Sequence, residues 1–295
     1  MEPKVIQNTL FNKKCACCQS EEINLFATNV DYLKPVYYST TEIQLSNTVE
    51  LWRCQSCKSV FIQNAICESD SINLYSFGES SKRWNNEMTF FEEKTTQLIK
   101  LILPYLTNKE AVLDIGCSTG RLLDFAKING SKQTFGIEFS IESQNICVQK
   151  GHLMINEIAD FKETFDTVFA FDLIEHTYNV PGFLSGISNA LKKDGILIVL
   201  TGNPHAFTAQ LLKNNWWYYC FPEHVVFPSK QFYANLKDFD LVNYAKVYNG
   251  KSYTGNLTKL FFKLIYYFRL NGKYIGLPSF VKDHHLVILR KHAQK

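Results

Sequence analysis

Short apolar runs alternate with stretches of helical spacing through the middle of the chain. The runs cover residues 112–115, 133–138, 165–172 and 196–200, and they are rich in Val, Ile, Leu and Phe. Continuous apolar runs of this length are typical of strands that are buried on both faces of a parallel sheet. Helices are predicted after Gly120 and over 140–150 and 181–191, where Lys192–Gly195 would stop the last one, and a third strand is predicted from His152 to Ile158. The pattern therefore predicts an α/β domain.

The loop between the first of these strands and its helix lies within Val112–Leu123 and contains two glycines. Gly116 and Gly120 allow positive φ angles or a close approach of the backbone to a ligand. A phosphate ligand is disfavoured, because Gly120 is followed by Arg-Leu rather than by Lys-Ser/Thr, and because Asp114 would repel an anion. The loop therefore predicts a cationic or zwitterionic ligand.

The second strand ends in Glu138, about 20 residues after the loop, where doubly wound sheets carry an acid that binds ribose hydroxyls. Together with Glu138, the pattern Asp-x-Gly-x-Ser-x-Gly over 114–120 resembles the first two motifs of class I S-adenosylmethionine-dependent methyltransferases, with Ser118 in place of a middle glycine. A dinucleotide-binding dehydrogenase is the alternative. Asp172 and the following Ile-Glu-His resemble the fourth methyltransferase motif.

The resemblance implies a doubly wound, mostly parallel seven-stranded sheet and S-adenosylmethionine as the cofactor. Either Glu157 or Asp160 would be the acid that contacts adenine. The cofactor-binding residues that we predict are Asp114, Gly116, Ser118, Gly120, Glu138, Glu157 and Asp172.

Two Cys-x-x-Cys pairs near the N-terminus, Cys15/Cys18 and Cys54/Cys57, are separated by 35 residues. Each spacer forms a tight knuckle, so that four thiolates can surround one Zn²⁺ tetrahedrally. Cys17 could replace Cys18, but only Cys18 gives the spacing that the second pair repeats. With short strands predicted at Val36–Tyr38 and Ile43–Leu45, the region is interpreted as a zinc ribbon whose metal is structural.

The length of 295 residues and the 46% hydrophobic content predict two domains, a zinc ribbon at 1–80 and a methyltransferase domain at 81–295 with C-terminal substrate or lid segments. The chain shows no leader pattern and no apolar run of about 18 residues, so we expect a cytoplasmic protein. The first 79 residues contain six Lys/Arg and nine acids, which argues against nucleic acid as a partner.

From Leu241 onward ten Lys/Arg stand against one acid, although the net charge is only +3. Such a tail either suits an anionic partner, such as a sugar nucleotide, a phospholipid surface or nucleic acid, or is simply a solvated basic face. Within it, residues 257–274 predict a helix with an apolar stripe. That helix either packs in the core or lies on a membrane or partner surface.

An aromatic-rich segment, Trp216–Ser229, contains the pair Glu223-His224. It resembles the Glu-His pair of sugar methyltransferases that have an N-terminal zinc-binding region, although Phe221 stands where those enzymes carry a tyrosine. The resemblance and the pKa of histidine make His224 the candidate base, with Glu223 to orient it. The predicted substrate-lining residues are Tyr75, Asn203, His205 and Trp217.

The resulting hypothesis is methyl transfer to an oxygen or nitrogen of a small molecule, namely a sugar or a nucleotide-linked sugar. The alternative is a zinc-ribbon adaptor that uses the same fold to contact nucleic acid or a membrane surface. S-adenosylmethionine binding separates the two hypotheses, since an adaptor need not hold it.

Overall fold

A computed structural model describes residues 4–7, 13–28, 36–38, 41–77, 98–220, 222–247 and 282–292. Contacts within the chain define two compact units. The cysteine unit comprises Met1–Glu79, Gly202–Ser229 and Lys246–His284, and the sheet unit comprises Ser80–Thr201, Lys230–Ala245 and His285–Lys295. The side chain of Tyr75 and the helix predicted over 257–274 lie outside the described residues.

The regular elements follow the predicted alternation closely in the sheet unit. In chain order the strands are β1 (Lys4–Ile6), β2 (Ile23–Ala27), β3 (Val36–Tyr38), β4 (Thr41–Leu45), β5 (Leu51–Cys54), β6 (Val60–Ile62), β7 (Ala111–Ile115), β8 (Gln133–Ile137), β9 (Leu153–Met154), β10 (Phe165–Phe171), β11 (Leu191–Gly202), β12 (Val226–Phe227), β13 (Phe239–Val247) and β14 (His284–Lys291). The helices are α1 (Glu68–Phe77), α2 (Arg121–Ile128), α3 (Ile141–Gln149), α4 (Val180–Ala190), α5 (Phe207–Leu212) and α6 (Lys230–Ala234).

Seven strands form one sheet in the order β13-β14-β11-β10-β7-β8-β9, which confirms the predicted doubly wound fold. The pairings from β11 through β10, β7 and β8 to β9 are parallel. Leu113, Val168 and Ile198, on three neighbouring strands, are fully buried. The strand order changes direction between β7 and β10, and ligands of open α/β sheets bind outside the carboxyl ends of strands at such a point.

Two local predictions differ from the structure. Lys192–Gly195 does not end a helix, because α4 already ends at Ala190 and Leu191, the first residue of β11, pairs with Phe165 of β10. The register then shifts to Thr167 and Ile196, so the intervening residues form an irregularity within the strand. The third strand, predicted from His152 to Ile158, is only the two-residue β9.

The cysteine unit contains two small sheets. β1, β4 and β3 form a three-stranded sheet, and β12, β6, β5 and β2 form a four-stranded one. The antiparallel pairing of Val226 with Phe61 joins the aromatic segment after Glu223-His224 to the strands beside the cysteines. In the part of the chain that is described, no helix is both long and apolar enough to cross a membrane.

Candidate functional site

The loop after β7 has the backbone that its glycines predict. Gly116 and Gly120 have φ angles of 77° and 76°, and Ser118 between them also has a positive φ of 47°. A side chain at Gly120 would come within 2.9 Å of His152 Cδ2 and 3.0 Å of Cys147 Sγ. Glycine is therefore required at this position by backbone conformation and by space.

Glu138 directly follows β8 and fixes the loop. Its carboxylate accepts a hydrogen bond from the Ser118 N–H at 2.9 Å and another from the Ser140 N–H at 2.9 Å. Ser140 is the N-cap of α3. The half-buried carboxylate thus links the glycine loop to the start of the next helix, and its remaining lone pairs can accept from ribose hydroxyls.

Asp114, near the end of β7, is the least solvated of the predicted acids. Only 4% of the residue is exposed, and no described residue donates a hydrogen bond to its carboxylate. Burial, followed by the negative charges of Cys147 and Glu138, raises the pKa of this carboxyl well above its usual range. A buried carboxylate without a donor is costly on its own, and a cationic ligand would compensate for that cost.

The other predicted acids occupy exposed positions after strands of the same parallel sheet. Asp172 follows β10 with a φ of 46°, and its N–H donates to the Leu200 carbonyl. Glu157 lies three residues beyond β9, before the 3₁₀ turn Ile158–Asp160. Because β8, β9 and β10 are parallel, their carboxyl ends lie at the same edge of the sheet, and Glu138, Glu157 and Asp172 all follow that edge.

Two exposed apolar side chains beside Glu138 were not predicted as site residues. Phe139 is 76% exposed and Ile141 is 73% exposed. Large apolar side chains with this exposure, on either side of a helix cap, offer a surface to a flat aromatic group. The sequence could have indicated these two residues, because the apolar-polar-apolar pattern Phe139-Ser140-Ile141 continues past the end of β8.

The four predicted metal ligands converge within the cysteine unit. The Sγ atoms of Cys15, Cys18, Cys54 and Cys57 all lie within 4.8 Å of one another. Two of the distances, Cys15 to Cys57 and Cys18 to Cys54, are 3.6 Å. A tetrahedral zinc site with Zn–S bonds of about 2.3 Å has sulfurs about 3.8 Å apart, so the arrangement fits the metal.

The two knuckles repeat one backbone design. In each, the N–H of the residue after the pair donates to the carbonyl of the first cysteine, from Gln19 to Cys15 at 2.9 Å and from Lys58 to Cys54 at 3.1 Å. One N–H also donates to the sulfur of the first cysteine at 3.4 Å, from Cys17 in the first knuckle and from Cys57 in the second. The residue after each pair, Gln19 or Lys58, has a positive φ near 60°. Cys17 is buried but is not part of the four-sulfur group, which agrees with the choice of Cys18 as the ligand.

Comparison with known proteins places the chain in a family. The family model for a methyltransferase domain matches residues 88–246, more than half of the chain. The chain belongs to the methyltransferase domain family. The ubiquinone biosynthesis O-methyltransferase of Rhodopseudomonas palustris (strain BisB5) is 36% identical over 102 residues, which span 31% of this chain and 40% of that protein. The (S)-coclaurine N-methyltransferase of Papaver somniferum is 28% identical over 134 residues, which span 41% of this chain and 38% of the relative.

Solved structures agree on the fold. A complex of the Haloferax volcanii Trm112 methyltransferase activator and a methyltransferase superposes with a TM-score of 0.53 at 12% identity, covering 74% of this chain and 96% of that one. A S-adenosylmethionine-dependent methyltransferase from Thermotoga maritima gives 0.50 at 16% identity, with coverage of 74% and 99%. At these identities the likeness shows the fold alone.

The histidine of the Glu-His pair is buried, and a hydrogen bond to the backbone holds its ring in one orientation. His224 Nδ1 donates to the Tyr218 carbonyl oxygen at 2.8 Å, and the two rings lie 4.3 Å apart. Because a carbonyl can only accept, this bond assigns the proton of the neutral ring to Nδ1 and the basic lone pair to Nε2. Glu223 is buried as well, and the bond that fixes the tautomer comes from the backbone.

The predicted substrate-lining residues form contacts within the cysteine unit. Trp217 is buried, and its indole N–H donates to Asp283 Oδ2 at 2.8 Å. The buried Asn203 accepts the His205 N–H through Oδ1 at 2.9 Å. His205 is exposed, and its Nε2–H donates to the Lys58 carbonyl at 2.9 Å. Although the residue is exposed, partial desolvation of its ring, followed by nearby positive charge, lowers the pKa of His205.

Proposed function

We propose that this chain transfers a methyl group from S-adenosylmethionine to an oxygen or nitrogen of a small-molecule acceptor. The observation that carries the proposal is the buried Asp114 carboxylate, which has no described donor and lies where the strand order of a methyltransferase-family sheet reverses. Two relatives named as an O-methyltransferase and an N-methyltransferase support the choice of nucleophile.

Each residue of the glycine loop has a separate role in holding the cofactor. Asp114 attracts the ammonium group of the methionine moiety, and Gly116 and Gly120 let the backbone approach it closely. Glu138 accepts from the ribose hydroxyls, and the exposed Phe139 and Ile141 offer an apolar surface to adenine. Ser118, Glu157 and Asp172 complete the predicted set at the carboxyl ends of the strands.

The bound cofactor supplies an electrophilic methyl group on a positively charged sulfur. The chain aligns the acceptor and removes its proton, which is the task we assign to Nε2 of His224. The hydrogen bond of Nδ1 to the Tyr218 carbonyl keeps the ring in the tautomer that this task needs. Glu223, adjacent in sequence and buried, stabilises the imidazolium that forms.

We assign a structural Zn²⁺ to Cys15, Cys18, Cys54 and Cys57. The sulfur spacing and the repeated knuckles support this assignment. Desolvation among the neighbouring sulfurs raises the pKa of the Cys18 thiol, and a bound Zn²⁺ would hold it as a thiolate at neutral pH. The closed set of four ligands leaves no coordination position for a substrate.

For the acceptor we propose a sugar or a nucleotide-linked sugar. The support is the cysteine pairs together with the Glu-His segment, which resemble those of sugar methyltransferases. Asn203, His205, Trp217 and Tyr75 are the residues proposed to line its site. The polar groups of Asn203 and His205 suit hydroxyl-rich ligands, and aromatic faces such as that of Trp217 suit the apolar face of a sugar ring.

Calorimetry with S-adenosylmethionine tests the cofactor assignment. Glu138→Gln and Asp114→Asn should each weaken binding about tenfold or more, because each removes a charged hydrogen bond. Glu110→Gln is the matched control, since it also removes one carboxylate of the sheet unit, one that is paired only with Lys132 at the surface. Wild-type affinity in the Glu138 and Asp114 variants would refute the assignment.

A further inference from the structure

Arg53 has an unusual environment for a half-buried guanidinium. It is on β5 immediately before Cys54, and its Cζ atom is 3.9 Å from the centroid of the Phe26 ring. One Nη2–H donates to Gln210 Oε1 at 2.9 Å. A stacked guanidinium held by a neutral amide keeps its full positive charge and most of its five N–H donors available.

No described carboxylate forms an ion pair with Arg53. The nearest acid in sequence, Glu50, is three residues earlier on the opposite side of the strand, where it accepts from the Trp52 indole at 3.0 Å. The Nε–H of Arg53 is buried and has no acceptor among the described residues. Charges that leave water are normally paired, and a buried donor without an acceptor indicates a ligand atom or a water.

A second unsatisfied donor lies beside the same aromatic ring. The Tyr219 hydroxyl is fully buried and has no hydrogen-bond partner within the described part of the chain. The Tyr219 ring meets the Phe26 ring edge to face, with centroids 6.4 Å apart. Phe26 therefore contacts both Arg53 and Tyr219, which are both donors and neither of which is acidic at neutral pH.

Hydrogen bonds connect Arg53, through Gln210 and His205, to the backbone of Lys58. Gln210, which accepts from Arg53, donates through its amide nitrogen to the Pro204 carbonyl. The next residue, His205, donates to the carbonyl of Lys58, on the second cysteine knuckle. The Lys58 side chain likewise forms no ion pair with a described acid. Arg53, Lys58 and His205 thus belong to one hydrogen-bonded frame that contains no acid.

We propose that this frame binds a phosphate-type oxyanion, carried by the acceptor as a sugar phosphate or a nucleoside diphosphate. Phosphate oxygens accept from the planar fork of arginine and have further lone pairs for a hydroxyl and an ammonium. Arg53 is the anchor, Tyr219 supplies a neutral donor, and Lys58 adds positive charge, which acts on His205 as the charge of Arg53 does. The identification of the anion as part of the acceptor rests on the proposed function, whereas anion binding itself does not.

Calorimetry of the zinc-loaded full chain with pyrophosphate, in low salt and without S-adenosylmethionine, tests the site. Arg53→Gln should weaken binding about tenfold or more, and Tyr219→Phe, which removes only the hydroxyl, should weaken it severalfold. Lys14→Gln is the matched control, because it removes one positive charge from the same unit, at a residue paired with Glu21. Zinc content and melting temperature show that each variant is folded.

The site would be refuted if pyrophosphate did not bind. It would also be refuted if the Arg53 and Lys14 variants lost equal pyrophosphate affinity, because that result would mean a diffuse attraction between charges.

Glucose 1-phosphate distinguishes the source of the anion. If glucose 1-phosphate binds more tightly than inorganic phosphate, the anion site recognises part of the acceptor. If glucose 1-phosphate binds more weakly, the assignment of the anion to the acceptor is refuted. Asp114→Asn should leave pyrophosphate affinity unchanged. If the chain binds pyrophosphate but not S-adenosylmethionine, the proposed function is refuted and the anion site is still supported.

Discussion

The cysteine cluster and the glycine loop are both short polar motifs, but they are satisfied in different ways. The four sulfurs lie within 4.8 Å of one another, two of the distances are 3.6 Å, and backbone N–H groups donate to two of the sulfurs. In the loop, Glu138 is hydrogen-bonded to the backbone, whereas Asp114 is buried with no described donor. The cysteine cluster therefore has the geometry for a single metal ion, whereas Asp114 has no described partner and could pair with a cationic ligand.

On the assignments proposed above, the cysteine cluster stabilises the fold, whereas the glycine loop acts on a ligand. A closed ligand set contributes its binding energy to folding, so its loss should be seen first in stability. A buried charged group without a hydrogen-bond partner lowers the stability of the fold, and its favourable contribution appears only in the affinity for a ligand. Substitutions in the two regions should therefore fail in different measurements.

The largest effect is expected from the cysteine cluster. Cys54→Ser should lose most of the zinc and unfold the cysteine unit, because structural zinc contributes on the order of 10 kcal/mol to small zinc domains. Metal analysis of unchelated protein should give about one equivalent per chain for the wild type, and melting curves should show the loss of stability.

Cys17→Ser is the control for that experiment. Cys17 is as buried as Cys15, Cys54 and Cys57 and adjoins Cys18, yet it is not part of the four-sulfur group. The Cys17→Ser variant should therefore keep its zinc. Zinc loss in the Cys17 variant equal to that in the Cys54 variant would contradict the ligand assignment, as would less than half an equivalent in the wild type.

The next largest effect is expected at the candidate base. His224→Ala should slow turnover about 10²- to 10⁴-fold, the usual contribution of a general base, while S-adenosylmethionine affinity stays unchanged. Turnover is measured with an acceptor found by screening sugar phosphates and nucleotide sugars. The melting temperature is recorded in parallel, because His224 also anchors the Tyr218 carbonyl.

His292→Gln is the matched histidine control, since it is on the surface beside Asp240. Its turnover should equal that of the wild type. Near-normal turnover in His224→Ala would refute the base role. A fall in melting temperature that accounts for the loss of activity would instead make His224 a residue that orders the segment.

Local patterns in the sequence predicted the parts of the fold that depend on local physics. The strands that contain Leu113 and Val168, the helix after Gly120 and the acid at Glu138 all follow from periodicity and loop chemistry. The cysteine spacing likewise predicted a convergent cluster, because each knuckle closes within a few residues.

Long-range pairing explains what the sequence did not show. β12 joins β6 across more than 160 residues of chain, and no local pattern encodes that partner. The register shift that takes up Lys192–Gly195 depends on the pairing of Leu191 with Phe165. For the same reason, the contact of His205 with the Lys58 carbonyl could not be predicted from either segment alone.

The smallest effect is a pH dependence that belongs to the glycine loop alone. Because the pKa of Asp114 is raised in the free protein, this carboxyl retains its proton at pH values where an exposed one would have lost it. A cation binds the ionised form, so the free protein holds more protons than the complex. S-adenosylmethionine affinity should therefore increase with pH, by at most about tenfold per unit, and level off above the pKa of Asp114 in the free protein.

Calorimetry across a pH series, in buffers of differing ionisation enthalpy, measures this proton release directly. Asp114→Asn should remove it, leaving weaker binding that is flat with pH. Glu138→Gln should move the rise to lower pH, because it removes a negative charge that helps to raise the pKa of Asp114. The zinc site offers the contrasting control, since Cys17→Ser should leave the profile unchanged. An equal pH dependence in the wild type and in Asp114→Asn would show that another group titrates and that Asp114 is not the partner of the cation.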